Sequence, residues 1–192
     1  MSATPQPTAH SSVLELVRAR WPSVLGLTMI LASSFRGTDV YVVTLVTMIA
    51  ALCYLAAAAT SRRGAAWITF GLSSILVPFG IITRLDLTIP IVLVAVLVVV
   101  AGVIIVEGDG WRELAIQAAG FAGFTGISVI ALNLDPGSAA LVAGFAVMGH
   151  GVWDVVHHRR DRVVPRSFAE FCAVLDFGIG ILLLFVTWVT WF

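Results

Sequence analysis

Lysine is absent from the 192-residue chain, and all eleven of its basic residues are arginine. Without a lysine amine the chain cannot form a retinal-type Schiff base or use a lysine nucleophile, so a rhodopsin-like protein is excluded. Charge of either sign is scarce, because Asp, Glu and Arg together make up 11% of the residues, against about a quarter in soluble proteins. The two cysteines, Cys53 and Cys172, lie in apolar stretches, so no disulfide framework is predicted.

Apolar residues make up 59% of the chain, and the mean hydropathy of the chain is +1.03. They occur in blocks near the ~20 residues that a helix needs to cross a bilayer. Strands are excluded within lipid because an open strand leaves its backbone groups unpaired. We therefore predict an all-α transmembrane bundle of about seven spans in one domain, 13–192, after a disordered tail, 1–12. The predicted spans are 21–35, 39–60, 65–83, 88–106, 111–132, 138–158 and 168–191.

Arginine in the loops predicts how the bundle lies in the membrane. With a cytoplasmic N-terminus, nine of the eleven arginines fall inside, and only Arg36 and Arg84 fall outside. The positive-inside rule therefore predicts that the N-terminus is inside, the C-terminus is outside, and the chain crosses a bacterial cytoplasmic membrane several times. Small residues at four-residue spacing, such as Ala140 with Gly144, predict that the fifth and sixth helices are central. The Val-rich segment 91–106 is predicted to be a helix that mostly faces lipid.

The polar residues of the last two helices are the main candidates for a functional site. His150, Asp154, His157 and His158 share one face of the sixth helix at 100° per residue. Asp176 lies about 8 residues into the seventh helix, where an unpaired carboxylate costs roughly 2.5 to 3.5 kcal/mol. Because a short loop makes the two helices antiparallel neighbours, His150 and Asp176 should be level and in contact.

Other acidic residues are predicted to be structural. Ser167 with Glu170 matches a capping box at the start of the seventh helix. Asp39 is expected to cap the second helix, and Gln117 is expected to join the buried polar network.

Three interpretations of the polar cluster compete. In the first, Asp176, Asp154, His150 and His157 are general acids and bases acting on a substrate from the bilayer, and no cofactor is required. In the second, His150, Asp154 and His157, with Asp176 as a fourth group, bind zinc or iron, although no HExxH motif is present. In the third, these residues form a structural hydrogen-bond network between helices.

Four further side chains are candidates for binding a substrate. Trp153, Phe145, Phe177 and Cys172 lie near the polar cluster in the predicted helices. Their aromatic faces could stabilise a cation beside a buried acid, and the alternative is ordinary packing.

The stretch HGVWDVVHH, followed by VVPRSFAEFCAVLD, resembles a group of small actinobacterial and cyanobacterial polytopic membrane proteins of uncharacterised function. Their shared pattern is HxxWDxxHH followed by FCxxxD, and the similarity covers the last 50 or so residues. In size, helix count and buried carboxylates the chain is also similar, more faintly, to small integral-membrane terpene cyclases. That family implies protonation of an isoprenoid alkene or epoxide by a carboxylic acid. The matching positions of the pattern are His150, Trp153, Asp154, His157, His158, Cys172 and Asp176.

The sequence thus leads to one preferred function and two alternatives. The preferred function is a membrane-embedded enzyme acting on an isoprenoid or other lipid through its Asp/His cluster. The alternatives are an ion or metal transporter, or other metal-binding membrane protein, and a structural membrane subunit. The expected partners are membrane lipid and a lipophilic small molecule, and no nucleic acid.

Overall fold

The chain folds into a helical bundle. The computed structural model describes residue 15 and residues 17–34, 39–83 and 85–191, and this part of the chain contains no strand. The predicted all-α fold is confirmed, whereas the predicted tail 1–12 lies outside the described residues. A short helical stretch at 17–19 precedes the first long helix. The helices are α1 Trp21–Ser34, α2 Val40–Ala59, α3 Ala65–Thr83, α4 Thr88–Ile105, α5 Gly110–Leu132, α6 Pro136–Arg160 and α7 Arg166–Trp191.

Five of these helices are long and apolar enough to cross a membrane, namely α2, α4, α5, α6 and α7. The helix α1 and the Ala65–Gly80 stretch of α3 are apolar but shorter. At 1.5 Å per residue, the 14 residues of α1 span only about 21 Å. The fold is therefore that of a multi-pass membrane protein by length and composition.

The ends of the helices follow from local chemistry. Asp39 caps α2 by accepting a hydrogen bond from the Tyr41 backbone N–H at 2.7 Å, as predicted. Asp135 caps α6 by accepting from the Ser138 backbone N–H at 3.1 Å, and this bond holds the pKa of Asp135 below its ordinary value. Pro136 takes the first position of α6, where its missing N–H costs least.

The predicted capping box at the start of α7 is wrong. Because α7 begins at Arg166, Ser167 lies inside the helix, where its hydroxyl accepts a hydrogen bond from Trp67 Nε1 at 3.3 Å. Glu170 instead reaches α1, where it accepts from Ser23 Oγ at 2.5 Å and lies 3.4 Å from Arg20 Nη1. Glu170 is thus structural, but it links α7 to α1 and does not cap α7.

The centre of the bundle is α2, which packs against α3, α4, α5, α6 and α7. In its most apolar stretch 89% of the residues are buried, against 33% for α5 and 50% for α6. The prediction that the fifth and sixth helices are central is wrong for α5, where a Cβ at Gly123 or Gly126 would meet no described atom within 4 Å, and α6 is only half buried. The helix α4 is largely exposed on the bundle surface, since only 11% of its stretch is buried, and that it faces lipid stays a prediction.

Glycine allows α6 and α7 to approach closely. A Cβ at Gly180 would lie 3.0 Å from the Gly144 carbonyl oxygen, so the backbones are nearly in contact there. By contrast, a Cβ at Gly123 or Gly126 of α5 would meet no atom of the described residues within 4 Å. The small-residue spacing therefore marks an internal interface in α6 but not in α5.

Candidate functional site

Four buried polar side chains from three helices meet in what we call the His150 cluster: His150, Asp154, Asp176 and Tyr54. His150 Nδ1 lies 2.8 Å from Asp176 Oδ2, which confirms the predicted contact, and 3.4 Å from Asp154 Oδ2. Tyr54 of α2 donates its hydroxyl proton to Asp154 Oδ1 at 2.7 Å. Tyr54 is 1% exposed and the other three side chains are 0% exposed, so water does not solvate this cluster.

Three atoms of the His150 cluster have no hydrogen-bond partner among the described residues: His150 Nε2, Asp154 Oδ2 and Asp176 Oδ1. If both carboxylates were ionised and the imidazole neutral, the cluster would carry two negative charges in an apolar interior. Such burial is strongly unfavourable. We therefore expect the cluster to hold one or more exchangeable acid protons.

His157 belongs to a second group, the His157 network, with Gln117 and Trp153. The ring Nδ1 of His157 lies 2.9 Å from the Trp153 carbonyl oxygen, so Nδ1 must be the donor. His157 Nε2 then accepts from Gln117 Nε2 at 3.0 Å, while Gln117 Oε1 accepts from Trp153 Nε1 at 3.3 Å. This pattern holds the His157 ring as the neutral Nδ1–H tautomer.

The two groups are linked through Tyr54. Its ring lies with its centroid 4.9 Å from that of His157 and 5.7 Å from that of His150. His157 therefore contributes to the site by packing against Tyr54, and both of its ring nitrogens already have partners.

A cavity of about 360 Å³ reaches the His150 cluster from the side of Asp176, and we call it the Asp176 cavity. Its wall is almost entirely apolar, with Cys172 and Asp176 at the buried end and the exposed residues Ala32 and Pro78 at the rim. Its volume falls within the range of small-molecule sites. The lining residues are Met29, Ala32 and Ser33 of α1, Val42, Val46, Ile49 and Ala50 of α2, Phe70, Ser73, Ser74, Val77 and Pro78 of α3, and Phe171, Cys172, Leu175, Asp176 and Ile179 of α7.

The cavity opens where α1 and α3 stand apart. Within the described residues α1 packs mainly against α7, and no extensive contact joins it to α3. The two helices touch near their starts, where the rings of Trp21 and Trp67 lie 5.4 Å apart. Farther along, Met29 and Ser33 of α1 and Val77 of α3 line opposite sides of the cavity.

Of the four predicted substrate-binding residues, the structure places only Cys172 at the cavity. Phe145 is 64% exposed on the outer surface of α6. Trp153 packs on Gly120 and Phe177 packs on Gly151. Sequence spacing indicated the correct helices for these aromatic residues, but not which side of each helix the cavity lies on.

Tyr54 is the member of the His150 cluster that was not predicted from the sequence. A signal was present, because the chain has only two tyrosines and a tyrosine within a long apolar segment must find a partner for its hydroxyl. The α3 wall of the cavity was also not predicted, because Phe70, Ser73 and Ser74 belong to no recognisable sequence motif.

A metal could be bound by a different set of residues from the one predicted. His150, Asp154 and Asp176 each offer one ligand atom, and these atoms all lie within 4.8 Å of one another. One imidazole and two carboxylates suit zinc or iron. His157, which the predicted set contained, is held by Gln117 and by the Trp153 carbonyl.

Family models, curated proteins and solved structures were all compared with the chain, and none matches it. The resemblance to the proteins with the HxxWDxxHH and FCxxxD pattern, and to membrane terpene cyclases, stays a prediction. The chemistry of the site therefore carries the functional argument.

Proposed function

We propose that the chain is a membrane-embedded acid–base enzyme that isomerises or cyclises a lipophilic, isoprenoid-like substrate. One observation carries this proposal: the buried residue Asp176 lines an apolar cavity, and its Oδ2 lies 2.8 Å from Nδ1 of the buried His150 imidazole. Such an acid is shielded from water, so a reactive intermediate formed beside it would not be hydrolysed.

The reaction that fits this geometry begins and ends on Asp176. In its protonated form, Asp176 transfers the Oδ1 proton to a substrate alkene or epoxide, which breaks the O–H bond and leaves a carbocation and a carboxylate. The N–H of His150, 2.8 Å from Oδ2, stabilises that carboxylate. The carbocation then loses a different proton to Asp176, which restores the acid, so the cycle needs no second reactant.

The other residues of the site support this acid. Phe70 and Phe171 line the cavity with ring centroids 4.9 Å apart, and their π faces would stabilise a cation. Asp154 and Tyr54 act as positioning residues, because they fix the His150 ring without reaching the cavity.

The proposal includes an orientation in the membrane. With seven spans and a cytoplasmic N-terminus, as the arginine distribution favours, the start of α7 is cytoplasmic. Asp176 then lies about 15 Å above it, near the middle of the bilayer. A substrate dissolved in the hydrocarbon would reach it through the gap between α1 and α3.

Deuterium incorporation tests the proposed chemistry without knowledge of the substrate. Proteoliposomes would be incubated in D₂O with the isoprenoid fraction of a bacterial membrane extract, and carbon-bound deuterium would be measured by mass spectrometry. We expect incorporation into at least one isoprenoid with the unmodified protein. With Asp176→Asn we expect a decrease of at least about 10²-fold.

Asp109→Asn is the matched control, because Asp109 is exposed and its side chain makes no capping bond to α5. This variant should retain full incorporation. Equal incorporation by the Asp176 and Asp109 variants, or none with the unmodified protein, would refute the enzyme.

Metal binding is the second candidate, favoured by the close grouping of His150, Asp154 and Asp176. To bind an ion through Nδ1, His150 must give up the proton that it shares with Asp176. Elemental analysis of protein purified without chelators should then show one zinc or iron per chain, lost in His150→Ala and retained in Asp109→Asn. A metal content well below one per chain would eliminate this candidate.

A further inference from the structure

The walls of the Asp176 cavity carry no basic side chain among the described residues that line them. Their only ionisable groups are the Asp176 carboxyl and the Cys172 thiol. A phosphate or carboxylate head group would therefore enter the apolar interior with no cation to pair with. An unpaired buried anion is strongly unfavourable.

Two of the three serines that line the cavity present acceptors. Ser33 donates its hydroxyl proton to the Ile30 carbonyl at 2.7 Å, and Ser74 donates to the Phe70 carbonyl at 2.8 Å. With their donors used inside their own helices, both hydroxyls keep only their oxygen lone pairs free.

Pro78 adds another acceptor on the same wall. It lies inside α3 and has no N–H, so it cannot bond the carbonyl of Ser74 four residues earlier, as the helix repeat requires. The Asp176 carboxyl, which lines the cavity from α7 and whose Oδ1 has no partner among the described residues, accepts a hydrogen bond when ionised and donates one when protonated. The cavity thus offers hydroxyl acceptors from α1 and α3, on its opposite sides.

An acceptor-rich, cation-free apolar cavity complements a ligand that donates hydrogen bonds. We propose that the cavity binds a lipophilic molecule whose head group is an alcohol or amine, and that it rejects anionic lipids such as isoprenoid phosphates. As a statement about the substrate this rests on the proposed function, but the binding preference itself does not require turnover. If the head group is an ammonium, Phe70 and Phe171 would add cation–π attraction.

Cys172 provides a native reporter for the test. Both free cysteines are buried, but Cys172 lines the cavity and Cys53 does not. In a Cys53→Ser background, N-ethylmaleimide would label only Cys172, and intact-mass measurements would give the rate. A Cys172→Ser protein checks that no other residue reacts.

Three probes share the same apolar chain and differ only in their head group: geraniol, geranylamine and geranyl monophosphate. Each would be added to proteoliposomes at equal membrane concentration, set from its measured partitioning. We expect the alcohol and the amine to slow labelling of Cys172 roughly tenfold, which corresponds to 1.4 kcal/mol of binding, and the phosphate to have no effect. Asp176→Asn should reduce protection by the amine more than protection by the alcohol, because only the amine can take the Asp176 proton and pair, as an ammonium, with the carboxylate that remains.

The possible failures are distinguishable. Protection by the phosphate that equals or exceeds protection by the amine and alcohol overturns the head-group preference, as does no protection by any probe. Neither result bears on the Asp176-dependent deuterium incorporation, which is measured separately. Protection by the amine and alcohol without deuterium incorporation upholds the preference and overturns the enzyme. If Asp176→Asn does not fold, Ser74→Ala tests the opposite wall and should also weaken protection by both donor probes.

Discussion

Removing the hydroxyl oxygen of Tyr54 tests whether its hydrogen bond to Asp154 stabilises the His150 cluster. Tyr54→Phe keeps the ring, so it leaves no cavity at the packing contacts with His150 and His157. It removes the hydroxyl that donates to Asp154 Oδ1 at 2.7 Å. Since Asp154 Oδ2 has no hydrogen-bond partner within the described part of the chain, the Asp154 carboxyl would lose the one hydrogen bond that it makes there.

The expected cost follows from burial. A hydrogen bond to a charged group contributes about 1.5 to 3 kcal/mol, whereas side-chain hydrogen bonds in membrane proteins average ~0.6 and reach ~1.7 kcal/mol. The high end applies here because Tyr54 is 1% and Asp154 0% exposed, so neither water nor a lipid head group can replace the bond. We predict that the free energy of unfolding falls by about 1.5 to 2 kcal/mol.

The other tyrosine of the chain provides the matched control. The hydroxyl of Tyr41 accepts a hydrogen bond from the Leu87 backbone N–H at 2.8 Å, but it lies at a partly exposed helix end. Tyr41→Phe should therefore cost only about 0.5 kcal/mol. Reversible unfolding in mixed detergent–lipid micelles would measure both variants. A Tyr54→Phe effect no larger than that of Tyr41→Phe would refute the argument that burial strengthens this bond.

Three other perturbations test the packing, the placement of α1 and the loop after α6. Gly180→Ala should destabilise the bundle by about 1 to 3 kcal/mol because its Cβ would overlap α6. Gly126→Ala should change stability little, because its Cβ would meet no described atom within 4 Å. Thermal unfolding would measure both variants, and equal destabilisation would contradict the prediction. Glu170→Gln weakens the bonds to α1 and should increase hydrogen exchange in α1 but not in α4, and unchanged exchange in α1 would show that this contact does not hold the helix. The Arg63 guanidinium holds the pKa of Asp161 below its ordinary value of 3.8, so this ion pair stabilises the α6–α7 loop above that pH, and the stabilisation is lost as pH falls through the lowered pKa. Hydrogen exchange of the loop should rise in that acidic range. Arg63→Ala should weaken this pH dependence without removing it, because Arg166 Nε also lies 3.5 Å from Asp161 Oδ2 and Arg166 lowers the pKa of Asp161.

Several parts of the candidate site could be predicted from the sequence because they depend on helix periodicity. His150 and Asp154 are four residues apart, so any α-helix places them on one face. The contact between His150 and Asp176 followed from the short α6–α7 loop, which makes antiparallel neighbours whose depths can be matched by counting residues.

Other parts could not be predicted, because in lipid the periodicity of apolar residues no longer shows which face is buried. Phe145 and Phe171 are both aromatic residues on apolar helices, yet Phe145 is 64% exposed and Phe171 is 0% exposed. Lipid and protein interiors are equally apolar, so nothing in the local pattern separates these two environments. For the same reason the central position of α2 was not predicted.

The sequence by itself determined the all-α architecture, the bounds of most helices and the pairing of His150 with Asp176. Each depends on hydropathy, on loop length or on the repeat of a single helix. Only the tertiary structure decided that α2 lies at the centre, that Tyr54 bonds Asp154, and that Asp176 lines a cavity bounded by α1, α2, α3 and α7. These features join residues as far apart as Tyr54 and Asp154, which are 100 positions apart in the chain. Contacts at that separation depend on how whole helices pack, and no local pattern of residues encodes that packing.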